Sequence, residues 1–157
     1  RFIPGLSGPV FDIGGAFAIW SLRACCDGRA GCCRLVRTFE DAFGDQGGSA
    51  MADIVGLADL LRRFSRRALD LASSGEFKVT FDEAAFAGAV AAGQTGDARL
   101  CVDRLTWLLD AYMVRRAAPN VLRLAHRMGA RGMAAVSPHP YSMPESADEA
   151  GRAGAGA

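Results

Sequence analysis

Ile54, Leu57, Leu60, Leu61, Phe64, Ala68 and Leu71 recur at spacings of three and four residues. A strand alternates its faces every two residues, so this rhythm fits an α-helix carrying one apolar stripe. The stripe predicts a helix over residues 49–73, with Ser49 as its N-cap and Gly75 past its end. Asp53 falls in the early turns, where the helix dipole favours an acid. Such a helix is stable only when its stripe is covered by neighbours, so the rest of the chain must supply them.

The supply is helical. Residues 11–25 place Phe11, Ala16, Phe17, Trp20 and Ala24 near one helical face, although Gly14 and Gly15 each weaken a helix by about 1 kcal/mol relative to Ala. Thr80-Phe81-Asp82-Glu83 spells a capping box, in which the Thr hydroxyl accepts from the Glu83 amide and the Glu carboxylate reaches back to the Thr80 amide. That helix is expected to stop near Gly93. After Gln94-Thr95-Gly96, Asp97 opens a helix to about Arg116, with Cys101, Leu105, Leu108, Leu109 and Tyr112 on its buried face. Ala118-Pro119-Asn120 should break it, leaving a short helix from Val121 to Met128 closed by Gly129.

These elements predict an all-α fold of four to five helices arranged as antiparallel helical hairpins, either a small bundle or a short α-solenoid. The helical domain is expected over residues 11–129. An extended N-terminal arm occupies residues 1–10, where Pro4, Gly5, Gly8 and Pro9 fall close together, and a low-complexity C-terminal tail occupies residues 130–157. That tail cannot bury enough apolar area to offset its ordering entropy, so any order in it must come from a neighbouring surface. A near-repeat supports the hairpins: Thr38-Phe39-Glu40-Asp41-Ala42-Phe43 resembles Thr80-Phe81-Asp82-Glu83-Ala84-Ala85-Phe86. Each unit would be a short capped helix, a Gly-rich turn and a long amphipathic helix.

Charge and hydropathy exclude several classes. The 157 residues carry 18 basic and 17 acidic side chains, a net +1 that gives no global field for nucleic acid or anionic membrane. Of the basic residues only Lys78 is not Arg. Mean hydropathy is +0.13, and no run reaches the roughly 18 to 20 apolar residues of a bilayer-spanning helix. The chain opens on Arg1, which suggests processing, and removal of an organelle-targeting presequence would place it in a mitochondrion or a plastid.

No catalytic set stands out. Cys25, Cys26, Cys32 and Cys33 flank a turn at Asp27-Gly28 and Ala30-Gly31, and they fit either free thiols or one disulfide across the turn. Adjacent cysteines converge poorly on one tetrahedral ion, so no metal is expected, and Cys101 reads as a small core residue. His126 and His139 lack an HExxH or GxSxG context, and no glycine-rich phosphate loop is present. No cofactor is expected, and the chain is read as a non-enzyme.

Arginine is the informative residue. Arg62, Arg63, Arg66 and Arg67 would form two i, i+4 pairs opposite the Leu stripe. Arg115, Arg116, Arg123, Arg127 and Arg131 fall in a stretch without acids between Asp110 and Glu145, and the last three would line one side of a helix. These nine are the expected partner contacts, gripping an acidic protein surface, phosphate or an RNA backbone. Residues 79–121 resemble a pentatricopeptide-type helical hairpin: Val79-Thr80-Phe81 opening, an Ala-rich first helix, Gly96-Asp97 at the turn and Pro119-Asn120-Val121 closing. The resemblance covers about a quarter of the chain, and the unit is several residues longer than that family's usual repeat. It implies base-reading positions near Asp82 and Asn120, with an acid atypical at the first. One or two such units cannot read RNA sequence, because that mode assigns one base to each repeat of a long array. The function expected is therefore a non-catalytic accessory or scaffold subunit that stabilises a larger multiprotein assembly in an organelle. The alternative is an RNA-associated helical-repeat protein, such as an organellar ribosome component.

Overall fold

The computed structural model describes residues 12–76 and 78–136, so the expected N-terminal arm and the tail beyond 136 lie outside the described residues. Within them the fold is all-α. It contains α1 (Ile13–Cys26), α2 (Cys33–Phe43), a short 3-10 turn at Gly44–Gln46, α3 (Gly47–Phe64), α4 (Phe81–Gln94), α5 (Ala98–Leu105) and α6 (Ala111–Ala130). There is no strand among the described residues, only an isolated bridge between Ser65 and Leu109.

Two kinds of helix build the core. α1 and α4 are rich in Ala and Gly and are buried around almost their whole circumference, as expected of helices that lack a polar face. The other helices are amphipathic and surround them, with the most extensive packing between α4 and α5 and between α3 and α6. Phe17, Phe39 and Phe43 form an aromatic cluster with ring centroids 5.2–5.8 Å apart. Gly14, which weakens α1 as a local helix former, is required by the packing. Its amide donates to Ala134 O at 3.0 Å, and a Cβ there would lie 2.5 Å from that same oxygen.

Local signals placed the starts of α4 and α5 well, whereas Ser49, the expected N-cap, lies inside α3, which follows directly on the 3-10 turn with Gln46 before its first residue. The capping box closes in both directions: Thr80 Oγ1 accepts from Glu83 N at 3.2 Å, and Glu83 Oε2 accepts from Thr80 N at 2.9 Å. Asp97 caps α5 by accepting from Leu100 N. Helix ends were placed less well. α3 stops at Phe64 and not at residue 73, because Ser65 turns extended to bridge Leu109 and Arg66 N donates to Leu108 O at 2.9 Å. Ala68 and Leu71 therefore leave the stripe, and residues 65–76 and 78–80 form an irregular strap whose Leu69 and Leu71 touch the core.

The expected helix from Asp97 to Arg116 is two helices. α5 ends at Leu105, and Asp110 starts α6 by accepting from Met113 N at 2.9 Å. Pro119 does not break the chain's last helix; it lies inside α6 at an exposed position. There the Arg115 carbonyl, which loses its usual donor to Pro119, is left on a face open to water. The near-repeat also loses its first cap. Thr38 sits in the middle of α2, and its hydroxyl donates back to Arg34 O at 2.8 Å. Finally, packing continues past residue 129. Gln94 donates to Met133 O and accepts from Ala135 N at 2.8 and 2.7 Å, and Met133 and Ala135 are buried. The first residues of the expected tail are thus held by α1 and α4.

Candidate functional site

One end of the molecule is assembled by buried charge. Arg23, in the last turn of α1, donates through Nε and Nη2 to the two carboxylate oxygens of Glu83 at 2.6 and 2.8 Å. The side chains of this pair are 6% and 0% exposed. Both ions are fully employed. Arg23 also donates to the carbonyls of Glu76 and Lys78, and Glu83 also accepts from the Ala72 and Thr80 amides. Asp82 beside it takes both ends of Arg67 at 2.6 and 2.9 Å and the Asp70 amide at 2.8 Å. Two carboxylates at the start of α4 thus satisfy backbone amides of the strap at Asp70 and Ala72, which explains why residues 66–73 abandon the helix their apolar spacing suggests.

The strap gathers the ends of several helices. Ser74 donates to Asp27 just after α1, Arg66 Nη1 donates to Thr106 O just after α5, and Phe81 at the start of α4 lies 6.1 Å from Trp107, ring centre to ring centre. Phe64, Phe81 and Tyr112 are 45%, 52% and 64% exposed. Such exposure is unusual for aromatic side chains, the residue type from which binding hot spots are most often built. Trp107 adds a buried Nε1–H with no partner among the described residues.

The nine expected contact arginines divide. Arg123 and Arg127 reach Asp53 across the α3–α6 interface, Arg123 also binds Asn120, and Arg127 Nε donates to Gln46. Arg131 donates to Phe43 O. The three expected partner contacts thus tie α6 to the rest of the fold, Arg123 and Arg127 through the buried carboxylate of Asp53 and Arg131 through a main-chain carbonyl, and only Arg127 among them is withdrawn from the surface. Arg62 and Arg63 end α3, but Arg66 and Arg67 lie in the strap, so the expected i, i+4 pairing of the four does not form. Arg63 instead pairs with Asp59 at 2.9 Å and Arg67 with Asp82. Arg62, Arg66, Arg115 and Arg116 are exposed and make no ion pair among the described residues.

Of the two positions that the pentatricopeptide resemblance marks for base reading, Asp82 is buried against Arg67, and Asn120 is engaged with Arg123. All five cysteines are free thiols, so no disulfide closes the turn before α2. Cys25 and Cys101 are buried, and burial pushes each up to about 11. Cys26 is also pushed up to about 11, by burial first and then by Cys25 and Asp27, against an opposing pull from Arg62. Cys32 and Cys33 are exposed. His126 lies exposed on α6, His139 lies outside the described residues, and no group of acids, histidines and cysteines suited to a metal exists among the described residues. An open depression of about 500 Å³ lies along α5, lined by Asp97, Arg99, Leu100, Val102, Asp103 and Thr106. No helix of the described residues is long and apolar enough to cross a membrane.

The exposed aromatic and arginine side chains at the strap end are the strongest candidate site that this geometry offers. No family model, curated protein or solved structure matches the chain.

Proposed function

We propose that this chain is a non-catalytic helical accessory subunit that docks an acidic protein partner through its strap end. The observation that carries the reading is the exposure of Phe64, Phe81 and Tyr112 beside arginines without ion pairs. Aromatic rings supply large contact area at small entropic cost, and guanidinium groups supply directional bonds to carboxylates. The strap's buried charge network supports the role, since a surface held in place before binding loses less entropy on association.

A protein partner fits better than RNA. Asp59 and Asp82 neutralise Arg63 and Arg67, which leaves Arg62 and Arg66 as the uncompensated cations beside Phe64. A phosphate backbone is gripped by a longer run of such cations. The organellar setting belongs to the same proposal, and fractionation of the source cells tests it.

Co-purification from the source organism tests the docking reading, comparing the wild-type chain with Phe64→Ser/Phe81→Ser. Both residues are exposed, so the variant should keep its fold by circular dichroism and lose the protein that travels with the wild type. Recovery of the same partner by the variant would overturn the site. Filter binding to single-stranded RNA with a steep loss of affinity in salt would replace the protein reading with the RNA one.

A further inference from the structure

Arg62-Arg63-Phe64-Ser65-Arg66-Arg67 surrounds one hydroxyl with four guanidinium groups. Ser65 lies where α3 ends, on extended backbone with φ −62° and ψ 144°. Its hydroxyl is at the surface and donates to Arg67 O at 2.6 Å, and no group among the described residues donates to its oxygen. Arg62, Arg63 and Phe64 form the end of α3 and are all exposed, so this last turn opens without uncovering a core side chain. Among the described residues, no other serine or threonine has two arginines in the three positions before it. Thr38 and Thr106 have one each, and the exposed Ser49, Ser73 and Ser74 have none. The docking reading uses the arginines and leaves this hydroxyl without a role.

We propose that Ser65 is a phosphorylation site for an arginine-directed serine kinase, and that its phosphate withdraws Arg62 and Arg66 from the acidic partner. The phosphoryl donor is ATP bound with magnesium in the kinase. Ser65 Oγ attacks the terminal phosphorus and a new O–P bond forms. The bond from that phosphorus to the bridging oxygen breaks, and ADP leaves with its electron pair. The hydroxyl proton passes to the catalytic carboxylate of the kinase. The consequence for docking rests on the reading above, whereas the assignment of Ser65 as the acceptor does not.

Recognition and consequence draw on the same charges. Arginines two and three residues before the acceptor suit an acidic kinase groove, where each guanidinium finds a carboxylate. Arg62 has no ion pair to give up among the described residues. Arg63 pairs with Asp59, but the two side chains are 69% and 52% exposed, so the pair yields at little cost. Once transferred, a phosphate brings a charge of about −1.5 to −2 at neutral pH into this run of arginines. Asp82 holds Arg67 through two bonds and Asp59 holds Arg63, whereas Arg66 reaches only the Thr106 carbonyl. The phosphate therefore takes Arg62 and Arg66, the same two cations that the docking surface offers to carboxylates. Charge at that surface is cancelled while the strap keeps its anchors at Asp82 and Glu83.

The test incubates the purified full-length chain with MgATP and the catalytic subunit of cyclic-AMP-dependent protein kinase, followed by intact-mass analysis and peptide mapping. One phosphate should appear first, on Ser65, and Ser65→Ala should lose it. Arg62→Gln/Arg63→Gln should lower the rate of incorporation by about tenfold or more, because both charges read by the kinase are gone. A synthetic peptide of residues 59–70 should be phosphorylated at the same serine. First modification of any other hydroxyl, an undiminished rate in Ser65→Ala, or a native chain left unmodified while the peptide is modified would each overturn the assignment. So would a peptide that is not modified. Binding of the chain to poly-L-glutamate at low salt should weaken severalfold on phosphorylation, and undiminished binding would overturn the effect on Arg62 and Arg66. Weakened poly-L-glutamate binding supports the inference even where the unmodified chain recovers no partner from its source cells, a result that would remove the docking reading alone.

Discussion

Arg127 and Arg115 sit twelve positions apart on the same helix and have opposite fates. Arg127 reaches across to Asp53, together with Arg123, and Arg131 ties the end of α6 to Phe43 O. Arg115 and Arg116 point away from the core and make no ion pair among the described residues. The residue type is the same and so is the helix. The difference is what lies opposite: a carboxylate whose side chain is 9% exposed in one case, and solvent in the other. Arg23 takes the contrast to its limit, since both it and Glu83 are withdrawn from water. Arg23, Arg123 and Arg127 are structural because a buried acid faces each, Arg131 because a main-chain carbonyl does, and Arg115 and Arg116 are left facing water.

That division can be broken by measurement. Arg23→Ala should cost about 3–5 kcal/mol in urea unfolding, because it leaves Glu83 buried without its counter-charge. If the loss is under about 1 kcal/mol, the network at the start of α4 is not what holds the strap. Asp53→Ala should come next, at about 1–3 kcal/mol, since it removes the shared acceptor of Arg123 and Arg127 while both guanidinium groups can still reach water. Arg67→Ala should cost less, about 1–2 kcal/mol, because Asp82 retains the Asp70 amide. Proteolysis should localise that loss to the strap. Arg62→Ala, Arg115→Ala and Arg116→Ala should each change stability by no more than about 0.5 kcal/mol. A larger loss at Arg115 or Arg116 would show that the outward set is also structural.

Much of the local structure was legible in advance. The capping box at Thr80 and the cap at Asp97 are written in four-residue patterns, and both close as their spacing predicts. Ile54, Leu57 and Leu61 of the stripe are buried as expected, with Leu60 half-buried beside them. Legibility failed where a distant group outbid a local preference. Residues 65–73 continue the apolar spacing of α3, yet their backbone groups bond to Asp82, Glu83 and the residues before α6. Pro119 looked like a break, yet its position on the open side of α6 let the helix run through it. The candidate site was half visible. Its arginines were identified from sequence, but Phe64 and Tyr112 were assigned to buried faces, and no signal in the spacing marked their exposure.

The sequence by itself determined that this chain is helical, where α4 and α5 begin, and that four of its cysteines flank one turn. Those properties depend on side chains within about four residues of one another, the reach of a helical turn. Only the tertiary structure decided where α3 ends, which arginines are consumed and which thiols are enclosed. Those outcomes depend on contacts such as Arg23 with Glu83 and Arg127 with Asp53, which are 60 and 74 residues apart in the chain. Burial makes an ion's partner decisive, and burial exists only after the helices have assembled.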